Sequence, residues 1–486
     1  MPGLSKSRII AHRQCPKRLW LAVNRPDLTV EDAVATARFR IGNEVGEVAR
    51  GLYPGGVLIE TIDSRTALGA TSKALSGPKK PIFEAAFAHE GVLVRADLLL
   101  ADRGGHRMVE VKSSTKVHEY QIADAAIQAW VARKSGIALN RVEIAHVDST
   151  FVYPGKGDYD GLFAFADVTA ETAPLERQVP KWVKAARETL ALKKEPKIEP
   201  GTQCTAPFEC PFTGYCSPAA DEDIFPPEIL PFKHGKALAA KLRAEGYEDL
   251  RKVPGRRLEN AQFKRIWRVS RKGGMELNPK AGETLVALSF PRYYIDFETF
   301  QPAVPVWAGT RPYQQTPYQW SCHIERKSGP LEHLEFLSHD GSDPRRPFAE
   351  TLIKAVRARG PVFVYNASFE GGRLNESGEA FPDLAPALDA ISARFVDLLP
   401  LARNHYYHRD MRGSWSIKAV LPTIAPELSY DGLGVADGAM AAEAFAEMLH
   451  PQTEPKRATE IRQALLEYCG RDTLAMVKIA HFFQGR

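Results

Sequence analysis

Apolar residues recur along this chain with two periods, and the changes of period mark the elements. Alternation in GVLVRADLLLA and in HRMVEVKSS, with the turn residues DRGG between them, predicts two adjacent strands joined as a hairpin. The next stretch, YQIADAAIQAWVARKSG, has the spacing of an amphipathic helix ending at Gly136, and VEIAHVDSTFVY resumes strand character. Further on, LVALSFPRYYIDFETF, YQWSCHIERK and HLEFLS predict three successive strands, PFAETLIKAVRARG a helix and PVFVYN another strand. The stretch RATEIRQALLEYCGRDTLAMVKIAHFF predicts a long amphipathic helix. Strands followed by strand–helix alternation point to layered α/β architecture.

Length then divides the chain. At 486 residues it is too long for one core, since single cores stop growing at roughly 250–300 residues. The predicted division is 1–218, a mixed α/β block; 219–284, a small helical connector; and 285–486, a mixed-sheet block starting near Leu285. The Pro-rich, acidic string SPAADEDIFPPEILP separates the first two, and the connector carries short helices around KALAAKLRAEGY and NAQFKRIWRV with the break VPGRR between them.

Composition changes the picture mainly through charge. A hydrophobic fraction of 44% and a charged fraction of 25% describe an ordinary globular protein. The net +5 is unevenly placed: Lys233 to Lys280 hold fourteen Lys/Arg against five Asp/Glu, so these 48 residues carry +9 and the remainder −4. A basic segment beside acidic pockets suits a phosphate-backbone partner. No stretch approaches the roughly 18 apolar residues of a membrane span, and the start lacks an apolar signal core, so a cytoplasmic protein without a membrane partner is expected.

Acidic residues near the C-terminus form one candidate site. Asp296 and Glu298, two apart on a strand, share a face of the sheet, and Asp472 shares a helix face with Tyr468, four residues earlier. Hard cations such as Mg²⁺ or Mn²⁺ take oxygen ligands, and paired ions roughly 4 Å apart clamp both oxygens of a phosphodiester under hydrolysis. The motifs DFETF, NASFE and EYCGRDTLAM resemble, in order, those of the DnaQ-like 3′→5′ exonucleases of the subclass with Tyr in the last motif. That resemblance implies a ribonuclease-H-like fold, Asp296, Glu298, Glu370 and Asp472 as metal ligands, and Tyr468 orienting the attacking water. The family's middle motif has Asp four residues after Asn, whereas Asn366 is followed by Glu370. Asp397 in VDLLPL, and Ser416 and Lys418 in GSWSIKAVLP, also resemble stretches between the second and third motifs.

A second constellation lies in the first block. Asp97 in VLVRADLLL, with Glu110 and Lys112 in VEVKSS, places two carboxylates and a lysine at neighbouring strand ends, a hydrolytic arrangement in which the lysine positions water. It resembles the PD-(D/E)xK nucleases of the RecB-like branch, which implies a restriction-endonuclease-like α/β domain with Asp97 and Glu110 on a metal. Gln128 resembles that branch's helical glutamine, and Glu84 in IFEAAF its preceding acidic residue. Trp130 stands where a Tyr is usual but at a different spacing, and the branch's early histidine has no counterpart in GNEVGEVA.

Cys204, Cys210 and Cys216 follow one another as C-x5-C-x5-C, and Cys15 stands alone near the start. Four thiolates can hold a [4Fe-4S] cluster or tetrahedral zinc. The one-plus-three division resembles the RecB-like iron–sulfur nucleases, which implies [4Fe-4S], with zinc as the alternative. Cys322 and Cys469 fall in strand and helix patterns and are expected in the core.

The sequence thus predicts a metal-dependent nuclease with two nuclease-type domains, acting on DNA, with repair or phage defence as the associated role. The connector weakly resembles helix-hairpin-helix modules that grip phosphates. Two alternatives stand beside this reading: an RNA-processing exonuclease, and a nucleic-acid-binding adaptor whose sites are vestigial.

Overall fold

The computed structural model describes residues 3–30, 33–217, 223–430 and 432–486, with side chains from residue 37 onward in the second of these spans. The protein is mixed α/β. Its chain forms two compact units, Met1–Ala219 with Pro302–Gln314, and Ala220–Gln301 with Gln315–Arg486. The boundary expected at Pro218 lies outside the described residues.

Unit 1 is built on a seven-stranded sheet. Its strands are β1 (Leu4–Ser5), β2 (Val57–Leu58), β3 (Ile82–His89), β4 (Val92–Asp102), β5 (Gly105–Lys112), β6 (Leu139–Val147) and β7 (Phe163–Asp167), in the order β2-β3-β4-β5-β6-β7. The predicted hairpin is β4–β5, turning at Asp102–Gly105. Because β5 pairs with β4 only from Leu98 to Asp102, the first half of β4 keeps an open edge, and β1 pairs there in parallel, Leu4 with Val92. That pairing starts the Lys6–Gln14 helix beside the middle of the sheet.

The predicted helix forms at Glu119–Lys134, and nearly every residue from Gln121 to Ala132 is buried, as in a helix packed on all sides. Strand β6 is shorter than its apolar run suggested. Asp148 Oδ1 accepts from the Thr150 backbone N–H at 2.8 Å and its hydroxyl at 2.7 Å, and this local turn ends the ladder before STFVY.

Unit 2 holds a five-stranded sheet of β9 (Arg292–Phe300), β10 (Thr316–Glu325), β11 (Glu332–Leu337), β12 (Val362–Val364) and β13 (Phe395–Asp397), ordered β11-β10-β9-β12-β13. A small ribbon pairs β8 (Met275–Leu277) with β14 (Tyr406–His408). Strands β9 to β11 are antiparallel, whereas β12 and β13 run parallel to β9. Alternation along β9 sends Tyr293, Ile295 and Phe297 into one core with the Arg345–Ala355 and Ala367–Ala380 helices, and Tyr294 into another with the 29-residue Pro455–Phe483 helix.

Three features depart from the sequence reading. Leu285 begins no strand: Ala281 and Leu285 are the buried face of a Lys280–Val286 helix, and Pro291, which has no N–H, precedes the first ladder residue, Arg292. The described part of the expected 219–284 connector, from residue 223, forms no separate module, since Leu242, Phe263, Ile266 and Val269 share a core with Tyr294, Phe363 and Met476. The helices Phe232–Ala244 and Ala261–Lys272 are also not joined by a short hairpin, because Leu250–Lys252 and Gly255–Arg257 form two 3-10 turns between them. Finally, Pro302–Gln314 leaves the 285–486 block for unit 1, where Ala303 and Val304 pack with Val45, Leu98 and Val147.

A shared core has a measurable consequence. Ile266→Ala is expected to cost about 2–5 kcal/mol and to speed amide exchange in β12 while leaving β4 unchanged. Unaltered exchange in β12 would make residues 219–284 an independent module.

Candidate functional site

In unit 2 the side chains of Asp296 and Glu298 leave β9 on the face covered by the Pro455–Phe483 helix, which carries Tyr468, Cys469 and Asp472 inward together. One oxygen of Asp296, one of Glu298 and the Cys469 sulfur lie within 4.8 Å of one another. The Cys469 thiol donates to the Asp296 carbonyl at 3.7 Å and to Oδ2 at 3.9 Å. Cys469 is buried as expected, but against carboxylates rather than in an apolar core.

Glu370 reaches the same region through a sharp strand-to-helix turn. Asn366 adopts a left-handed backbone, φ 118°, two residues after the end of β12, and Asp397 at the end of β13 accepts from the N–H groups of Asn366 at 3.2 Å, Ala367 at 2.9 Å and Leu399 at 2.9 Å. Asp397 thus caps two helices, and its work is to fix the turn that delivers Glu370. Ser416 sits at the N-cap of the Ile417–Val420 helix. Lys418, on that helix, donates to the Ala436 carbonyl at 2.6 Å, and its ammonium stands 5.0 Å from the Tyr468 ring centre.

The electrostatics of the cluster are uneven. Burial, then Asp472, Glu298 and Glu370, push Asp296 well above the usual carboxylate range. Burial and Asp472 raise Glu298 to about 8 against the pull of Lys418. Burial raises Glu370 to about 8 and Asp472 to about 6; hydrogen bonds from Tyr430 and Tyr468 restrain the latter. Among the described residues none of the four forms an ion pair. Two neighbouring polar atoms are buried without a hydrogen-bond partner, Glu370 Oε2 and Tyr318 Oη, the latter within the electrostatic reach of Glu298 and Cys469.

Unit 1 assembles its own site. Strands β3 and β4 pair Phe83 with Leu98 and Ala85 with Ala96, which sets Glu84, φ 55°, opposite Asp97. On the other side β5 pairs Val109 with Leu98, so Glu110 follows beside Asp97, and Asp97 Oδ2 accepts from the Val111 N–H at 2.7 Å. Glu110 is fully engaged: Oε1 accepts from Lys112 Nζ and from Lys6 Nζ, each at 2.7 Å, and Oε2 accepts from Gln128 Nε2. Asp124, one helical turn before Gln128, accepts from Lys112 at 2.8 Å and pairs with Lys6 at 3.4 Å. Burial opposes charge on Glu110, but Lys112 and Lys6 overcome it and hold the carboxyl below its ordinary range. Asp97, shielded by burial and facing Glu110, rises to about 7, and burial raises Glu84 too. Trp130 takes no part; it packs edge-on against His89.

Cys15, Cys204, Cys210 and Cys216 line one small cavity together with Lys17, Arg18 and Phe212. No three of the four sulfurs lie mutually within 4.8 Å, the spacing met by Asp296, Glu298 and Cys469.

Several contributors escape a reading of the sequence. Asp124 left a faint trace, an acid four residues before Gln128 on a helix with little polar surface. Lys6, Tyr318 and Tyr430, whose hydroxyl donates to Asp472 Oδ1, left none. In the basic segment, three of the five carboxylates are taken by arginines, Arg257 on Glu245, Arg251 on Asp249 and Arg268 on Glu276, and the excess of nine basic side chains remains. A family model described as a domain of unknown function, DUF2779, matches residues 293–416, spanning Asp296, Glu298 and Glu370. No curated protein matches the chain.

Raised carboxyl values give a signed pH dependence. Folding tightens proton binding at Glu370, so its contribution to stability is present below the unfolded value of about 4.3 and is lost as pH rises through about 8. Without divalent ions, Glu370→Gln is expected to be close to neutral in denaturation at about pH 4 and stabilising, on the order of a few kcal/mol, at about pH 9. Equal effects at both pH values would mean that Glu370 does not titrate between them.

Proposed function

We propose that this protein is a metal-dependent nuclease whose unit 2 is a DnaQ-like 3′→5′ exonuclease and whose unit 1 carries a second, RecB-like site. The observation that carries the reading is the set of four acids in unit 2, gathered from β9 and two helices and left, among the described residues, without an ion pair. Buried like charges are retained where a cation or a proton completes them. The partnerless Glu370 Oε2 and Tyr318 Oη beside them fit a cation with its waters. Glu370 stands where the resembled family has Asp, and its longer side chain still arrives within electrostatic range of Asp296.

Asp296, Glu298, Glu370 and Asp472 would hold the ions, which would supply Lewis-acid polarisation of a phosphodiester. The protein's own groups supply the rest. Tyr430 donates to Asp472 and fixes its carboxylate, and Tyr468, one helical turn before Asp472, adds to the pull on it. The Tyr468 hydroxyl is then placed to orient an incoming water, and Lys418 balances part of the acidic charge on the tyrosine side. The substrate we propose is DNA, held through its backbone; the cytoplasm is the compartment in which such a chain would act.

One observation favours a second reading for unit 1 alone. Lys6 and Lys112 already neutralise Glu110 and Asp124, so this site is electrostatically closed, as suits a nucleic-acid-binding module with little or no cutting rate. For the cysteines we propose a [4Fe-4S] cluster. Tetrahedral zinc with bonds of about 2.3 Å would draw its sulfurs to about 3.8 Å apart, whereas the four thiols here frame a wider cavity.

In a Glu110→Ala background, Asp296→Ala, Glu298→Ala and Asp472→Ala should each abolish end-initiated degradation of labelled single strands with Mn²⁺. Double variants should match the singles, and Tyr468→Phe should slow cleavage by roughly 10²–10⁴. Full activity in all three carboxylate variants would overturn the assignment, and parallel DNA and RNA strands identify the sugar. Cleavage surviving Asp296→Ala but lost on adding Glu110→Ala would make unit 1 active. Anaerobically purified protein is expected to contain iron that Cys204→Ser, Cys210→Ser or Cys216→Ser removes; stoichiometric zinc without iron would overturn the cluster.

A further inference from the structure

Cys469 is the side chain at the acidic cluster that the proposed chemistry leaves unused. It follows Tyr468 on the helix, is completely buried, and its sulfur lies with one oxygen each of Asp296 and Glu298 inside a common 4.8 Å. A small apolar residue would fill the same helix position without placing a donor atom among carboxylates. A second, independent observation points to a ligand at this place. The hydroxyl of Tyr318, a residue with no exposed surface, has no hydrogen-bond partner and stands within reach of the charges on Glu298 and Cys469. Glu370 Oε2, 2% exposed at the residue, is likewise unpartnered and acts on Asp296. Buried polar atoms left open in this way are rare in folded proteins.

We propose that Cys469 is a sulfur donor to a divalent ion shared with Asp296 and Glu298, so that this centre takes a thiophilic ion of the Co²⁺, Zn²⁺ or Cd²⁺ kind in preference to Mg²⁺. The inference rests on the reading of the cluster as a metal centre. Metal–oxygen bonds of about 2.0–2.2 Å and metal–sulfur bonds of about 2.3 Å place three donors of one ion about 3.4–3.8 Å apart. A mutual spread within 4.8 Å closes on one ion with side-chain movements of about one ångström. Magnesium takes oxygen ligands in near-octahedral geometry, whereas a thiolate shifts preference toward softer ions. On binding, the S–H bond breaks, its proton leaves to solvent, and the sulfur lone pair bonds the ion.

The test is a Co²⁺ titration of the full-length chain and of its Cys469→Ser and Asp296→Asn variants, followed by sulfur-to-cobalt charge-transfer absorption in difference spectra. The four-cysteine cavity contributes equally to all three and cancels. The expected result is a band component lost in both variants, with the ratio of Cd²⁺ to Mg²⁺ affinity falling in Cys469→Ser by at least on the order of tenfold, the scale on which even outer-shell partners change metal affinity. Thermal melts verify folding, and Cys469→Ala carries the measurement if the serine variant does not fold. Unchanged spectra and affinity ratio in Cys469→Ser, with metal binding lost in Asp296→Asn, would make Cys469 a packing residue and leave the metal centre standing. If Asp296→Asn also binds Co²⁺ unchanged, the metal-centre reading fails, and the sulfur donor with it.

Discussion

Concentrating like charges in a buried volume is the constraint around which unit 2 is organised. Asp296, Glu298, Glu370 and Asp472 each raise the protonation tendency of at least one neighbour, and Lys418 is the lysine that acts against this on Glu298 and Asp472. Side chains under such repulsion would part if their frame yielded. The frame is stiff: β9 is paired on both edges, and the Tyr294 and Phe363 rings stack with centroids 4.6 Å apart behind it. Asp397, an acid that sequence comparison alone would place among the functional ones, serves this frame by capping the helix that presents Glu370.

Unit 1 meets the same difficulty with opposite means. Its acids Glu110 and Asp124 are matched by Lys6 and Lys112, so the site satisfies itself. Lys6 arrives only because β1 pairs with the edge of β4 that β5 leaves open. Removing one partner of such a buried pair is costly, whereas the intact set is close to neutral. The two clusters therefore differ: in unit 2 the four acids have no ion pair among the described residues, whereas in unit 1 Glu110 and Asp124 are paired with lysines and Asp97 and Glu84 are not.

Much of this was legible along the chain. The β4–β5 hairpin, the Glu119–Lys134 helix and the Pro455–Phe483 helix announce themselves by periodicity, because each buries a face over many residues. Asp296 with Glu298, Glu110 with Lys112, and Tyr468 with Asp472 were legible for the same reason, since spacings of two on a strand and four on a helix fix which side chains share a face. Where a short local interaction decided the outcome, periodicity misled. Pro291 delayed β9, the Asp148 turn shortened β6, and an apolar run around Leu285 coiled instead of extending.

The sequence by itself determined the α/β class, the long elements and the pairs of candidate side chains that one element carries, because these follow from local geometry. Tertiary structure decided which pairs meet: Glu370 with Asp296, Gln128 with Glu110, Cys15 with the three later cysteines. It also decided that Lys6 and Tyr430 are partners of acids far away in the chain, that the segment from Phe225 to Leu285 belongs to the second core, and that Pro302–Gln314 belongs to the first unit. The physical reason is that a contact between distant residues depends on strand order, edge availability and the packing of whole faces. None of these is encoded in the spacing of neighbours.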